Sequence, residues 1–192
     1  MRIIALVLAL AGCAKADDTD DTEPAADPNA VEITTSLGLF EITVDPDKAP
    51  VTTANFLQYV DDGFYDGDDG AGATLFHRVI PEFMAQGGGL VASGAEKPTR
   101  DPIVNESDNG LSNQRGTVAM ARLPDPDSAT AQFFVNVADN TFLDIDGQSP
   151  PGYAVFGTVT SGMDVVDAMV AVETGAQDRP VEDIVITDCE RE

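Results

Sequence analysis

The sequence predicts one mainly β domain in which eight strands accompany two helices, and three observations lead to this prediction. Apolar and polar residues alternate in eight short segments, as they do in strands with one buried face. Apolar residues recur at helical spacing in two further segments, one early and one late in the chain. Stretches rich in glycine and aspartate separate these segments. About 160 residues follow the N-terminal region, which suits one domain with a sizeable core.

Residues 1–12 are typical of a bacterial signal peptide. Arg2 precedes an apolar run at residues 3–11, which is far shorter than the ~20 apolar residues that span a bilayer. Residues 10–13, with the sequence LAGC, resemble a lipobox, in which Cys13 is acylated and becomes the mature N-terminus. An ordinary secretory peptide with a chance cysteine is the alternative, but the small residues immediately before Cys13 favour lipidation.

Residues 13–30 are predicted to be a disordered tether between this anchor and a domain at residues 31–192. The tether is rich in Asp, Thr, Ala and Pro without an apolar period, so it buries too little surface to offset the entropy of ordering. Alanine at position 14 favours the outer membrane. We therefore expect a periplasm-facing lipoprotein of the bacterial cell envelope, attached to the membrane only through lipid on Cys13.

The net charge argues against two classes of partner. The chain has 34 acidic and 10 basic residues, a formal charge of −24 that becomes −25 (9 basic, 34 acidic) once Arg2 leaves with the signal peptide. Such a balance disfavours binding to nucleic acid and to anionic lipid surfaces. It is compatible with adaptation to salt or with solubility alone.

The chain has two cysteines, and an envelope protein could pair them in a disulfide. A lipid on the sulfur of Cys13 excludes that pairing. Cys189 is then an unpaired thiol near the predicted last strand, and no redox role follows for it.

The domain opens with a predicted hairpin whose two-residue turn is at 37–38. An early helix at residues 51–62 follows, with a threonine (Thr52 or Thr53) to cap its first turn. The Gly/Asp/Ala stretch at residues 66–73 predicts a loop. In chain order, the predicted strands cover residues 31–36, 39–45, 74–79, 83–86, 117–121, 132–137, 153–159 and 183–188, and the second helix covers residues 163–172.

One stretch, residues 76–89 (FHRVIPEFMAQGGG), organises the predicted site. Strand alternation places Arg78 on the same apolar face as Phe76 and opposite His77. An arginine is unexpected there because its guanidinium is always charged and costly to bury unpaired. Gln86 could hydrogen-bond this guanidinium and hold it still. The three glycines that follow suit the close approach of a backbone, including that of a ligand.

The same stretch resembles, nearly residue for residue, the signature of the cyclophilin-type peptidyl-prolyl cis-trans isomerases. Two further blocks resemble this family: GTVAMAR at residues 116–122, and AQFFVNV at residues 131–137 followed by FLD at residues 142–144. The resemblance runs from about residue 31 to residue 189, so it covers the whole predicted domain. It implies a closed eight-stranded antiparallel barrel capped by two helices, a fold without exposed sheet edges.

The resemblance also implies the site. Arg78 is the catalytic residue, and Gln86 is the group that orients it. The substrate-binding residues are Phe83, Met84, Phe134 and Leu143 for the proline pocket, Ala121, Arg122 and Gln132 for the groove, and Phe142 and Tyr153 beside them. Taken singly, the apolar members would be assigned to core packing and Arg78 to a solvated strand face. Their position within the family blocks reverses that preference.

These residue types fit the reaction. Twisting an X–Pro amide localises a lone pair on the proline nitrogen, so a catalyst needs a donor aimed at that nitrogen beside an apolar pocket. The reaction requires neither a nucleophile nor a proton transfer, and no metal or cofactor is expected.

Two positions depart from the family: Phe142 stands where tryptophan is common, and Tyr153 where many members have histidine. Neither substitution touches Arg78, so activity is expected. Cyclosporin should bind weakly, because in the family it accepts a hydrogen bond from the indole of the tryptophan that Phe142 replaces.

Other chemistry is less favoured. The chain has one histidine, His77, which excludes a Ser-His triad and a multi-histidine metal site and favours a structural role. Asp66, Asp68 and Asp69 have the composition of a calcium loop. The twelfth position counted from Asp66 is His77 instead of glutamate, so a solvated loop is favoured. The DIDG sequence at residues 144–147 is an equally weak signal.

The sequence therefore predicts an envelope-anchored, monomeric peptidyl-prolyl isomerase acting on proline-containing polypeptides that are unfolded or exported. The alternative is a chaperone or scaffold module that binds proline segments with incidental turnover. Arg78 and Gln86 favour the enzyme, because mere binding would not need an oriented charge. A purely structural lipoprotein would leave the groove residues unexplained.

Overall fold

The computed structural model describes residues 27–145 and 151–192, and these form the predicted barrel with two helices. The signal peptide, Cys13 and most of the tether lie outside the described residues. The strands are β1 (Ala30–Thr35), β2 (Gly38–Val44), β3 (Thr74–Ile80), β4 (Met84–Val91), β5 (Thr117–Met120), β6 (Phe133–Asn136), β7 (Val155–Ser161) and β8 (Ile184–Arg191), and the helices are α1 (Pro50–Asp61) and α2 (Met163–Val170).

The strands close on themselves in the order β1-β2-β7-β5-β6-β4-β3-β8, with every neighbouring pair antiparallel. Closure leaves no strand of this sheet with an unpaired edge. The barrel interior is filled by side chains such as Phe40, Phe56, Phe76, Phe133 and Phe156, all at most 1% exposed. Within the described residues, no helix has the length and apolar character needed to cross a membrane.

The start of α1 differs from the prediction that Thr52 or Thr53 caps it. The helix begins at Pro50, so both threonines lie inside it, and its N-cap residue makes no side-chain cap bond. The carboxylate of Glu106 accepts from the backbone N–H of Val51 (3.1 Å) and of Thr52 (2.8 Å). A remote acidic side chain therefore satisfies the first-turn donors and complements the positive end of the helix dipole.

The prediction that β4 ends at Gln86 is wrong, since the strand continues through three glycines to Val91. Gly88 has φ +83°, and a Cβ there would lie 2.8 Å from the ring of Tyr65 and 3.0 Å from that of Phe133. A Cβ on Gly89 would collide with the side chain of Gln132. Gly88 and Gly89 therefore allow side chains of the same protein to pack directly against the backbone of β4.

A β-bulge in β3 corrects the predicted alternation. The register of the β3–β4 ladder shifts between Phe76 and Arg78. Phe76 and Val79, three positions apart, consequently both lie in the barrel core, and the prediction that Phe76 and Arg78 share a face is wrong. His77 and Arg78 are both only partly buried. The bulge thus re-aims the arginine away from the core.

The loop at residues 66–73 is present as predicted and is held by a buried lysine. Lys97 is 5% exposed, and its ammonium donates to Asp69 (2.9 Å) and to the carbonyls of Phe64 (2.7 Å) and Gly72 (2.8 Å). All three ammonium donors are therefore satisfied. Across the described ranges, no group of three or more His, Cys, Asp or Glu side chains is arranged to hold a metal ion.

Cys189 lies in β8 as a buried free thiol. Burial raises the pKa of this thiol well above its usual value, so it is protonated at neutral pH. Its backbone N–H donates to Asp66 at 3.2 Å.

Candidate active site

An outward-facing apolar floor forms where β4 and β6 run side by side. Ala85 and Val135 are cross-strand partners that face the barrel core, so Met84 and Phe134, one position away in each strand, face outward. These two side chains are nevertheless only 2% and 5% exposed, because Leu143, in the 3₁₀ turn Thr141–Leu143, packs over them. The result is a second apolar cluster outside the barrel.

A cavity of about 180 Å³ opens above this floor. Every described residue that lines it was predicted as a site residue: Arg78, Phe83, Met84, Gln86, Ala121, Arg122, Phe134, Leu143 and Tyr153. The other two predicted residues lie beside the cavity: Gln132 borders the neighbouring groove, and Phe142 stacks on Phe83 with ring centroids 5.7 Å apart. The structure brings the predicted residues together, and their individual roles stay predictions.

Arg78 lies at the edge of the cavity, and its partner differs from the predicted one. Its Nε lies 3.5 Å from Oδ2 of Asp178, with the side chains 40% and 48% exposed. Gln86 is the cross-strand partner of Arg78, but its Nε2 donates to Oε1 of Gln132 at 3.0 Å. This bond uses the amide N–H of Gln86 and not Oε1, the atom that would accept from a guanidinium, so the role of Gln86 as the orienting group stays a prediction.

Arg122 and Tyr153 line the same cavity as a stacked pair. The guanidinium lies 4.4 Å from the centroid of the Tyr153 ring, and its Nε donates to the carbonyl of Gly152 at 3.0 Å. The backbone N–H of Ala121 donates to the carbonyl of Gln132 at 2.9 Å. That N–H is therefore already in use, which leaves the carbonyl of Ala121 as its backbone group for a substrate.

Three buried asparagines connect the walls of the cavity. Asn140 donates from Nδ2 to the carbonyl of Phe83 at 2.8 Å and to Oδ1 of Asn136 at 2.8 Å. Asn113 donates to the carbonyl of Tyr153 at 3.3 Å and accepts from Asn136 at 3.2 Å. Sequence reasoning missed this network, although two asparagines four positions apart beside an apolar strand were a usable signal.

Asp144 fixes the turn that carries Leu143. Its carboxylate accepts from Ser112 Oγ at 2.5 Å, and from the backbone N–H and the side-chain amide of Asn113 at 2.7 and 2.9 Å. Partial burial works against ionisation of Asp144, but these three bonds outweigh it and lower the pKa of the carboxyl. Asp144 is thus an anionic anchor for the turn.

A second groove of about 520 Å³ shares Gln86, Ala121 and Arg122 with the cavity. His77 and Gln132 also line it. Burial lowers the pKa of His77, so the imidazole is neutral at pH 7. The cavity and the groove therefore adjoin each other along these shared residues.

The arrangement can do one kind of chemistry well. A permanently charged donor, Arg78, stands beside an apolar floor that excludes water from a small ring. Among the described residues that line the cavity there is no serine, cysteine, histidine or carboxylate, so none of them supplies such a nucleophile or general base. The site is therefore suited to binding an apolar ring and polarising one atom next to it.

Comparisons with known proteins agree with this geometry. The family model described as cyclophilin type peptidyl-prolyl cis-trans isomerase/CLD matches residues 30–191. A peptidyl-prolyl cis-trans isomerase of Streptomyces antibioticus, cyp18, is 52% identical over 164 residues, covering 82% of this chain and 95% of its own. Isomerase B of Escherichia coli is 51% identical over 158 residues, covering 79% and 93%.

Solved structures show the same fold at lower identity. The cyclophilin AquaCyp293 from Hirschia baltica superimposes with a TM-score of 0.69 at 23% identity, over 86% of this chain and 75% of that one. A cyclophilin-type isomerase of Cryptosporidium parvum gives 0.68 at 22% identity, over 85% and 98%. With the family match and the bacterial relatives, the conclusion is direct: this chain belongs to the cyclophilin-type peptidyl-prolyl cis-trans isomerases.

Proposed function

We propose that the protein is a monomeric isomerase of the bacterial cell envelope that accelerates rotation about X–Pro bonds in unfolded or exported polypeptides. Family membership supports the reaction and the proline-containing class of substrate. The observation that carries the proposal is the placement of Arg78 at the edge of an apolar cavity floored by Met84, Phe134 and Leu143.

The size of the rate acceleration shows that Arg78 supplies only part of it. Rotation about the bond faces a barrier of ~18–20 kcal/mol because resonance makes the C–N bond partly double. Uncatalysed exchange takes tens to hundreds of seconds. An acceleration of ~10⁵ requires ~7 kcal/mol of transition-state stabilisation. A hydrogen bond to a charged group contributes only ~1.5–3 kcal/mol, so Arg78 supplies part of the effect and the pocket the rest.

The pocket acts on the charge distribution of the amide. A planar amide is more dipolar than a twisted one, so an apolar surrounding disfavours the ground state relative to the transition state. As the bond twists, the lone pair on the proline nitrogen becomes an acceptor for a guanidinium N–H. Preorganised charge beside a dry pocket is worth more than the same group in water. The groove that continues from the cavity would bind residues flanking the proline.

The envelope location rests on the sequence of residues 1–13. An apolar run that ends in LAGC is the pattern that directs export and lipidation of Cys13. Mass spectrometry of the mature native protein should show an acylated N-terminal Cys13, and Cys13→Ser should abolish both the lipid and membrane fractionation. An unmodified Cys13 in the mature protein would rule out the anchor and leave the isomerase proposal intact.

A protease-coupled assay on a tetrapeptide containing one X–Pro bond tests the activity, with the full-length protein in a mild detergent. We expect turnover that rises linearly with enzyme concentration. Tight binding of proline peptides without turnover would instead support the chaperone or scaffold module and would overturn the enzyme proposal.

A further inference from the structure

A strained turn lies against the strand that carries Arg78. The 3₁₀ turn Ala176–Asp178 packs on β3, and it contains two consecutive residues, Gln177 (φ +62°) and Asp178 (φ +58°), in the left-handed region. Neither is a glycine, and each pays the steric penalty of that conformation. Such strain persists only where the surrounding structure imposes it, and it concentrates at functional sites.

The surroundings of this turn do impose it. The backbone N–H of Gly175 donates to the carbonyl of Arg179 at 2.7 Å, and Thr174 bridges to Pro180, so the turn is closed at its base. The side chain of Arg179 is in turn paired with Asp183 at 2.9 Å. These contacts hold the turn from both ends and fix where Asp178 projects.

Asp178 projects to the guanidinium of Arg78. The contact uses Nε, the donor nearest the chain, which leaves the two terminal amino groups with four of the five N–H donors. Gln86, the cross-strand partner of Arg78, donates from Nε2 to Gln132. Over residues 27–145 and 151–192, Asp178 is the only side chain that pairs with Arg78.

We propose that Asp178 is a positioning residue that orients Arg78 toward the proline nitrogen, an assignment that rests on the proposed isomerase function. An exposed ion pair contributes little to stability, less than two left-handed non-glycine residues cost. Stability alone therefore does not account for the turn. Contact with Asp178 at Nε restricts the side-chain freedom of Arg78 and leaves its terminal donors available. Less side-chain entropy is then lost when the transition state forms.

Asp178→Asn is the decisive variant, because asparagine has the same shape and tolerates the left-handed region. We expect kcat to fall about three- to fivefold with KM and thermal stability unchanged. Asp167→Asn is the matched control: it removes the same charge from an ion pair of similar exposure, that with Arg115, away from the cavity. It should leave turnover unchanged.

Two further measurements separate positioning from structure. In an Arg78→Lys background, which lacks the Nε edge, Asp178→Asn should change kcat less than twofold. In solution NMR, the Nε–H resonance of Arg78 should be sharp in the unmodified protein and broadened in Asp178→Asn. Two glycine variants make a further comparison. Gln177→Gly should keep full turnover, whereas in Asp178→Gly kcat should fall by the same factor as in Asp178→Asn.

Unchanged or increased kcat in Asp178→Asn, or an equal loss in the Arg78→Lys background, would overturn the assignment. So would an unaltered Nε–H resonance in a variant with reduced kcat. Absence of turnover by the unmodified protein is a different result, since it contradicts the proposed function itself.

Discussion

Arg78 combines two properties that rarely occur together in a side chain. Its charge is permanent, and it stands beside an apolar floor without being buried, with 40% of the side chain exposed. Partial exposure keeps the cost of desolvating the guanidinium low. A substrate proline bound in the adjoining cavity would shield its nitrogen, the acceptor for Arg78, from competing water. The bulge between Phe76 and Arg78 is what allows this, because regular alternation would have directed the guanidinium to the core face.

Removal of this donor should therefore affect catalysis more than folding. Arg78→Ala is expected to lower kcat/KM at least about a hundredfold, roughly 3 kcal/mol, with the thermal transition almost unchanged. The protease-coupled assay with circular dichroism as a fold check measures both. Arg191→Ala, which removes an arginine from an exposed ion pair with Asp61, is the control and should retain full turnover. Near-normal turnover by folded Arg78→Ala would contradict the mechanism.

Phe142 is predicted to control a different property, the affinity for cyclosporin. It is 43% exposed and stacks on Phe83, so it fills part of the apolar wall that an indole would fill. It offers no N–H, and an acceptor on the drug that loses its water would stay unpaired. The unmodified protein should bind weakly, and Phe142→Trp should tighten binding by about 1–2 kcal/mol.

Titration calorimetry on both proteins measures this difference. Turnover of small proline peptides should change little in Phe142→Trp, because they do not depend on the indole donor. Nanomolar binding by the unmodified chain, or no gain in the variant, would show that this position does not control drug affinity here.

At the scale of the elements, the sequence predicted every strand and both helices, and the resemblance predicted how the sheet closes. Alternation and helical spacing are local properties, so they can be read from neighbouring residues. Two of the features that were missed depend on residues distant in the chain. Glu106 caps α1, and Asp178 pairs with Arg78. No local pattern indicates such partners.

The glycines of β4 show how a local pattern can predict close approach without identifying the group that approaches. A Cβ would meet the backbone carbonyl of Leu75 at Gly87, two core rings at Gly88 and the side chain of Gln132 at Gly89, all groups of the same chain. Of these three glycines, Gly88 alone has a left-handed φ, +83°, and an added Cβ there would contact Tyr65 and Phe133. Gly70, in the loop at residues 66–73, has a similar φ of +78° and open space around it.

This pair of glycines separates backbone strain from crowding. Gly70→Ala should lower the free energy of unfolding by about 1–2 kcal/mol through the left-handed backbone alone. Gly88→Ala carries the same strain and also forces its methyl group into two rings, which should add at least about 1–3 kcal/mol. Urea unfolding followed by fluorescence measures both. Equal losses in the two variants would show that the rings move aside freely.

At the scale of the whole molecule, charge dominates. Asp and Glu outnumber Lys and Arg by 34 to 10. Six basic side chains in the described ranges are paired with aspartates: Arg78, Lys97, Arg100, Arg115, Arg179 and Arg191. The acidic residues therefore far outnumber the cations available to pair with them, and repulsion among the excess negative charges opposes the compact state.

Added salt should therefore stabilise the fold. The screening length falls from ~10 Å at 0.1 M to ~3 Å at 1 M, which removes repulsion between surface carboxylates before it weakens partly buried pairs such as Lys97–Asp69. A gain of about 1–2 kcal/mol corresponds to a rise in Tm of about 2–8 °C for a domain of this size. Thermal scans between 0.05 and 1 M sodium chloride, repeated with choline chloride at equal ionic strength, test this. Matching increases in the two salts identify screening as the cause, whereas a Tm that stays constant or falls would show that the repulsion between carboxylates costs the folded state little.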